Sequence, residues 1–318
     1  MIDVFCVGQL VCDILVSPVT GVDFTVDTQD VDTISMKPGG DCLNTAAALS
    51  KLGCKVAFSG KIGDDMMGGF LKNTLIDSGI DIRSLSVAKT EGTSSVIVAV
   101  NPAGERTFLY CSGANGTFGY EDIDLSLIGQ AKAVHVGGTF KLPLFDGAGA
   151  ARLFKAAKDA GKQTSMDNTW DVTGRWLDTI RPCFPYLDYY MPSYGEARLI
   201  AGCDGPEEIA GRLLAEGVSH VVLKMGRRGG FYKDADQKFY FPAFDVPVKD
   251  TTGAGDCFVA GFLAALLRRE PPEDAARLAA ACSAFCIQSL GATAGVPDME
   301  TLEGFLSSGA AKPLETID

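Results

Sequence analysis

The sequence predicts an α/β fold: a doubly wound, mostly parallel sheet flanked by helices, with a small β-strand lid. Three observations carry this. Short apolar runs rich in Val, Ile, Phe and Tyr recur along the chain, stretches with helical signals separate them, and two segments break the alternation with β-branched residues and no intervening helix.

In chain order the strand candidates are "DVFCVGQL" (3–10), "KVAFSGKIG" (55–63), "AKAVHVGG" (131–138), "KQTSMDN" (162–168), "LDYYMPS" (187–193) and "HVVLKMG" (220–226). Runs this apolar imply a sheet covered on both faces. The helix candidates between them are 41–52, 65–78, 146–160, 205–216, 254–269 and 273–290, several opening on an aspartate. Segments 13–37 and about 90–111 read as hairpins added to the main sheet, the second turning at Asn101-Pro102-Ala103-Gly104. Both emerge near glycine-rich corners, so they are expected to form a lid over the crevice at the strand carboxyl ends. With no repeat, low-complexity tract or linker, residues 1–318 are expected to form one domain.

Composition narrows the function. A chain of 318 residues with 47% hydrophobic content can bury a sizeable core. Its longest apolar run, Cys257 to Leu267, falls short of the ~20 residues that span a bilayer, and the N-terminus lacks the basic region of a secretory signal. The formal charge of −12, with no basic stripe, argues against nucleic acid and anionic membranes as partners. Ten scattered cysteines without a Cys-x-x-Cys pair read as free buried thiols, and the two histidines, His135 and His220, read as structural. A cytoplasmic chain is the expectation.

Two glycine-rich stretches carry the chemistry. In "DTTGAGDCF" (250–258) the small residues Gly253, Ala254 and Gly255 bare their N–H groups where a helix begins, which makes a cradle for an anion. Asp256 follows in the first turn, where the helix dipole is expected to keep it ionised and where it can face a hydroxyl beside the bound anion. In "PGGDCLNTAAALSKLG" (38–53), Asp41 and Asn44 stand three apart at another helix start and can bind hydroxyls. Each stretch alone also reads as a turn plus a helix cap. A Gly-x-Gly-x-x-Gly dinucleotide loop is missing after the first strand, and "GCKVAFSGKIG" has the wrong spacing for a Walker loop.

Together the two stretches resemble the two signatures of the PfkB, or ribokinase-like, carbohydrate kinase family. "GKIGDDMMG" (60–68) and "VLKMGRRGG" (222–230) are similar to further family elements, so the resemblance covers essentially the whole chain. It implies transfer of the γ-phosphate of ATP to a sugar hydroxyl, with Mg²⁺. By position, Asp256 is implied as the base, and the amides of Gly253, Ala254, Gly255 and Asp256 as the anion hole. Asp13, Gly39, Gly40, Asp41 and Asn44 fall on sugar-contacting positions; Lys224, Gly226 and Thr252 fall beside the nucleotide. Glu196 matches an acidic residue that organises magnesium through water, and the backbone of Asp250 and Thr252 matches a monovalent (K⁺) cation loop. A homodimer paired through the lid is a further implication.

Departures from the family pattern shape the substrate expectation. Ser193 stands in place of the motif Asn, and Ala280 in place of a polar nucleotide contact, which points to a mostly apolar adenine pocket. Asp41 replaces the lysine of ribokinases, and "MDNTW" (166–170), with Asn168, lacks the arginine that an acidic sugar would want. A ketohexose such as fructose, or a related neutral sugar, is therefore favoured over ribose, a keto-deoxy sugar acid or a nucleoside. Arg106, on the lid, is the one candidate contact for a substrate carboxylate. A non-catalytic sugar- or nucleotide-binding regulator of the same fold is the non-kinase alternative, and retention of Asp256 argues against it.

Overall fold

In the computed structural model, which describes residues 1–309, the apolar runs pair in parallel. The strands are β1 (Ile2–Gly8), β2 (Val11–Ser17), β3 (Thr33–Gly39), β4 (Val56–Ile62), β5 (Asp81–Val87), β6 (Ser95–Val100), β7 (Arg106–Cys111), β8 (Ala131–Thr139), β9 (Gln163–Asn168), β10 (Tyr189–Tyr190), β11 (His220–Lys224), β12 (Gly230–Lys233) and β13 (Lys238–Phe241). The helices are α1 (Asp41–Lys51), α2 (Met66–Asp77), α3 (Ser126–Gln130), α4 (Ala148–Asp159), α5 (Leu177–Ile180), α6 (Tyr194–Ala201), α7 (Pro206–Ala215), α8 (Ala254–Leu267), α9 (Pro272–Cys286) and α10 (Met299–Ser308).

Nine strands form the main sheet in the order β13-β12-β11-β10-β9-β8-β1-β4-β5. All its pairings are parallel except those of β12 and β13, which close one edge antiparallel. Alternation along β1 divides the core. Val4 and Cys6 pack with Leu43, Phe262 and Leu278 on one face, and Phe5 and Val7 pack with Phe145, Phe154 and Leu213 on the other. Among the described residues no helix is long and apolar enough to cross a membrane.

The lid departs from expectation. Instead of extending the main sheet, its strands form a separate four-stranded sheet in the order β3-β2-β6-β7. Antiparallel pairs flank a parallel β2–β6 pair at the centre. Register assigns its faces. Lys37, Asp13, Val96 and Tyr110 stand opposite one another in one row, and Met36, Ile14, Ile97 and Leu109 in the next, on the other face. The last expected helix, 273–290, stops at Cys286. Residues 310–318 of the expected domain lie outside the described residues.

Candidate active site

The starts of α1 and α8 meet at the carboxyl ends of the central strands. Asn44 Nδ2 donates to Asp256 Oδ2 at 2.7 Å, and Thr45 Oγ1 donates to the Asp256 carbonyl at 3.3 Å, so the two glycine-rich stretches are physically joined. Gly253 caps α8 with φ 75°, and a Cβ there would fall 2.2 Å from the Ala292 carbonyl oxygen; only glycine fits. Ala254, Gly255 and Asp256 then form the first turn, whose amides have no partner within the helix.

The acceptor side is rich in carboxylates. Asp13, on β2, lies so close to Gly39 that a Cβ on Gly39 would sit 2.4 Å from Asp13 Oδ2, and Gly40 caps α1 in front of Asp41. Burial first and the neighbouring Asp41 second push the Asp13 carboxyl up to about 7. Burial, then Asp167, push Asp41 up to about 6 against the pull of Lys224 and Lys141. Asp256 is buried at 9% exposure. Its own burial, with Asp41 and Asp167 nearby, raises it well above the usual carboxylate range, although Asn44 and Lys224 pull it down. This corrects the sequence expectation: burial and like charge outweigh the helix dipole. Lys141 stands 5.5 Å over the ring of Tyr110, whose hydroxyl accepts a 3.5 Å hydrogen bond from Gln9 Nε2.

On the other side of Asp256 lies a cavity of about 580 Å³. Phe241, Phe244, Val246, Val248, Phe258, Ala280, Ala284 and Ile287 give it apolar walls, and Lys224, Gly226, Thr251, Ala254 and Gly255 also line it. Lys224 leaves the end of β11 and pairs with Asp167, both nearly buried. Glu196, in the first turn of α6, forms a capping box: Glu196 Oε2 accepts from the Ser193 N–H at 3.1 Å and Ser193 Oγ accepts from the Glu196 N–H. Burial first, then Asp167, push Glu196 up to about 7.

Three expected site residues are placed differently. Arg106 does not face the acceptor; its Nη2 donates to Asp250 Oδ1 at 2.9 Å and its Nη1 to Thr252 Oγ1, which ties the lid to the loop before the anion turn. Thr252 points into that cluster, and Thr251 lines the nucleotide-side cavity instead. Asn168 is occupied internally, accepting from Tyr190 OH at 2.5 Å and donating to the Thr169 carbonyl at 3.2 Å. Its neighbour Asp167, which the sequence did not single out, is the residue that reaches Lys224. Burial favours the neutral form of Asp250, but donors from Gly291, Thr252 and Arg106 outweigh it and hold the carboxyl down to about 2.

In sequence and in fold the chain is similar to known sugar kinases. The family model described as pfkB family carbohydrate kinase matches residues 1–299. A fructokinase of Klebsiella pneumoniae is 28% identical over 84% of this chain and 91% of its own length. A 2-dehydro-3-deoxygluconokinase of Bacillus subtilis is 26% identical over 88% and 89%. Among solved structures, the ribokinase of Arabidopsis thaliana complexed with ribose and ATP superimposes with a TM-score of 0.81 at 25% identity, covering 96% of this chain and 99% of that one. A protein assigned as ribokinase II from E. coli, in complex with ATP and Mg²⁺, gives 0.84 at 25% identity over 97% and 100%. The chain belongs to the pfkB family of carbohydrate kinases.

Proposed function

We propose that this kinase transfers the γ-phosphate of ATP to a hydroxyl of a neutral sugar, with a ketohexose such as fructose favoured. One observation carries the reading: Asp256 stands between the carboxylate-lined acceptor face and the first-turn amides of α8, of which that of Ala254 makes only a long 3.3 Å bond to the Thr251 carbonyl, and it lies within hydrogen-bond reach of Asn44. Asp13 and Asp41 accept no hydrogen bond from side chains of the described residues, so sugar hydroxyls supply the donors they lack. Neither offers a counter-charge to a substrate carboxylate, Lys141 is already drawn toward Asp41, and Arg106 is held by Asp250.

The residues divide the work. Gly39, Gly40, Asp41, Asn44 and Asp13 hold the acceptor, and Asp256 orients its hydroxyl and takes the proton as the oxygen bonds to phosphorus. The amides of Gly253, Ala254 and Gly255 receive the phosphoryl oxygens, each such donor contributing about 3 kcal/mol. The apolar cavity with Ala280 holds the adenine, beside Gly226 and Thr251. Mg²⁺, when bound, neutralises phosphate charge. Glu196 suits it, since its Oε1 accepts no hydrogen bond from the described residues.

A monovalent cation fits the carbonyls of Asp250 and Thr252: neither accepts a backbone N–H among the described residues, and that of Thr252 meets only the weak Cys286 thiol donor at 3.4 Å. The exposed row of Met36, Ile97 and Leu109 on the outer face of the lid supports a homodimer paired through the lid, and light scattering showing only monomer would remove it. Ten free thiols fit a reducing cytoplasm. The substrate reading is tested by an ADP-coupled screen over ketohexoses, aldoses, sugar acids and nucleosides. Fructose or a close relative is expected to give the highest kcat/KM; turnover of sugar acids or nucleosides alone would overturn it.

A further inference from the structure

Lys224 is the one sequence-flagged residue whose surroundings ask for a more specific role than lining a cavity. Its side chain is 12% exposed and its partner Asp167 is 4% exposed. An ammonium carries three N–H donors, yet Asp167 Oδ2 is the sole hydrogen-bond acceptor it meets among the described residues. The rest of its surface looks onto the anion turn: a Cβ placed on Gly255 would lie 3.2 Å from Lys224 Nζ, and both residues line the nucleotide-side cavity. A pair serving only the fold would have its donors filled, because unfilled buried donors are costly.

The charges around it say what would fill them. The carboxylates of Asp41, Asp167, Glu196 and Asp256 all act electrostatically on this lysine or on the groups beside it. A helix N-terminus offers about half a positive charge, too little to hold a multiply charged phosphoryl group among those carboxylates. A full positive charge is needed on the amide row.

Building on the kinase reading above, we infer that Lys224 contacts the transferred phosphoryl group itself, with its ammonium resting against Gly255 and Asp167 acting as the positioning residue that aims it. As the acceptor oxygen bonds to phosphorus, the bond from phosphorus to the bridging oxygen breaks and ADP leaves with that electron pair. The hydroxyl proton passes to Asp256. Lys224 keeps its proton throughout and follows the moving charge on its flexible stem.

Calorimetry on the full chain with Mg²⁺ separates this role from general nucleotide binding, using ADP and the β,γ-methylene analogue of ATP as probes. The wild type is expected to bind the analogue about 10-fold or more tightly than ADP, the factor one charge-assisted contact provides. In Lys224→Met that preference falls to about 1 while the ADP affinity changes less than about 3-fold. The double variant Lys224→Met/Asp167→Asn leaves no unpaired buried charge, so it reads the same loss without a folding defect. A wild-type preference near one, a double variant that keeps the preference, or equal loss of ADP and analogue would overturn the assignment. The readout needs no sugar, so it stands even where the substrate screen finds no acceptor.

Discussion

Asp13→Asn should stabilise the folded chain, and its benefit should grow with pH. The carboxyl moves from 3.8 to about 7 on folding because it is half-buried beside Asp41. Below pH 3.8 both states carry the proton and there is no penalty. As pH rises, the unfolded chain releases the proton while the folded chain keeps it, so stability is lost progressively until pH passes the folded value. At ~1.4 kcal/mol per pH unit the full penalty reaches about 4 kcal/mol above pH 7. Water in the open pocket and shared protonation with Asp41 bring it to about 2 kcal/mol. An amide of the same shape escapes this cost. Urea unfolding of both proteins without ligand, at pH 8 and pH 5.5, measures it: the variant should gain about 2 kcal/mol at pH 8 and about half that at pH 5.5. A loss of stability, or a gain equal at both pH values, would refute the electrostatic account of the acceptor site. Sugar binding should weaken in the same variant, a trade of function for stability.

Further expectations follow from the same geometry. The rising limb of kcat/KM with pH should lie above the ordinary carboxylate range, because Asp256 must be ionised to act and its surroundings hold it protonated; a limb near pH 4 would contradict this. Arg106→Ala should cut kcat/KM for the sugar by about 10-fold through loss of the lid tie to Asp250 and Thr252, while the equilibrium affinity for ADP stays within about 2-fold; a large change in ADP affinity would show that Arg106 serves the nucleotide instead. Glu196→Gln should raise the Mg²⁺ concentration for half-maximal rate, and an unchanged titration removes that residue from the metal's surroundings. Turnover should be faster in K⁺ than in tetramethylammonium, and equal rates would leave the Asp250–Thr252 loop without a cation.

What the sequence disclosed and what it hid divide along contact distance. Glycine turns at helix starts are local, so the anion cradle at 253–256 and the pair Asp41 and Asn44 were legible, as were six of the main sheet's seven parallel strands and six of the ten helices among the described residues; β5 and helices α3, α5, α6 and α10 were not. The alternation of β-branched residues located the lid strands, but pairing of β2 with β6 in parallel is a long-range choice that periodicity does not encode. Arg106 was legible as a lid arginine, yet its partner lies 144 residues away. Asn168 drew attention through its motif, while Asp167 beside it does the reaching, because neighbouring residues on a strand point to opposite faces. The ionisation of Asp256 was misjudged for the same reason: the helix start was visible in sequence, but Asp41 and Asp167 converge on it only in the fold.

The base between the acceptor face and the anion turn is the centre of the account, and Asp256→Asn tests it most directly. With the acceptor that the wild type turns over best, steady-state rates and ADP binding are measured on the same preparation. A fall in kcat of about 10²–10⁴-fold with ADP affinity unchanged is the expected result. Turnover within a few-fold of the wild type would contradict it.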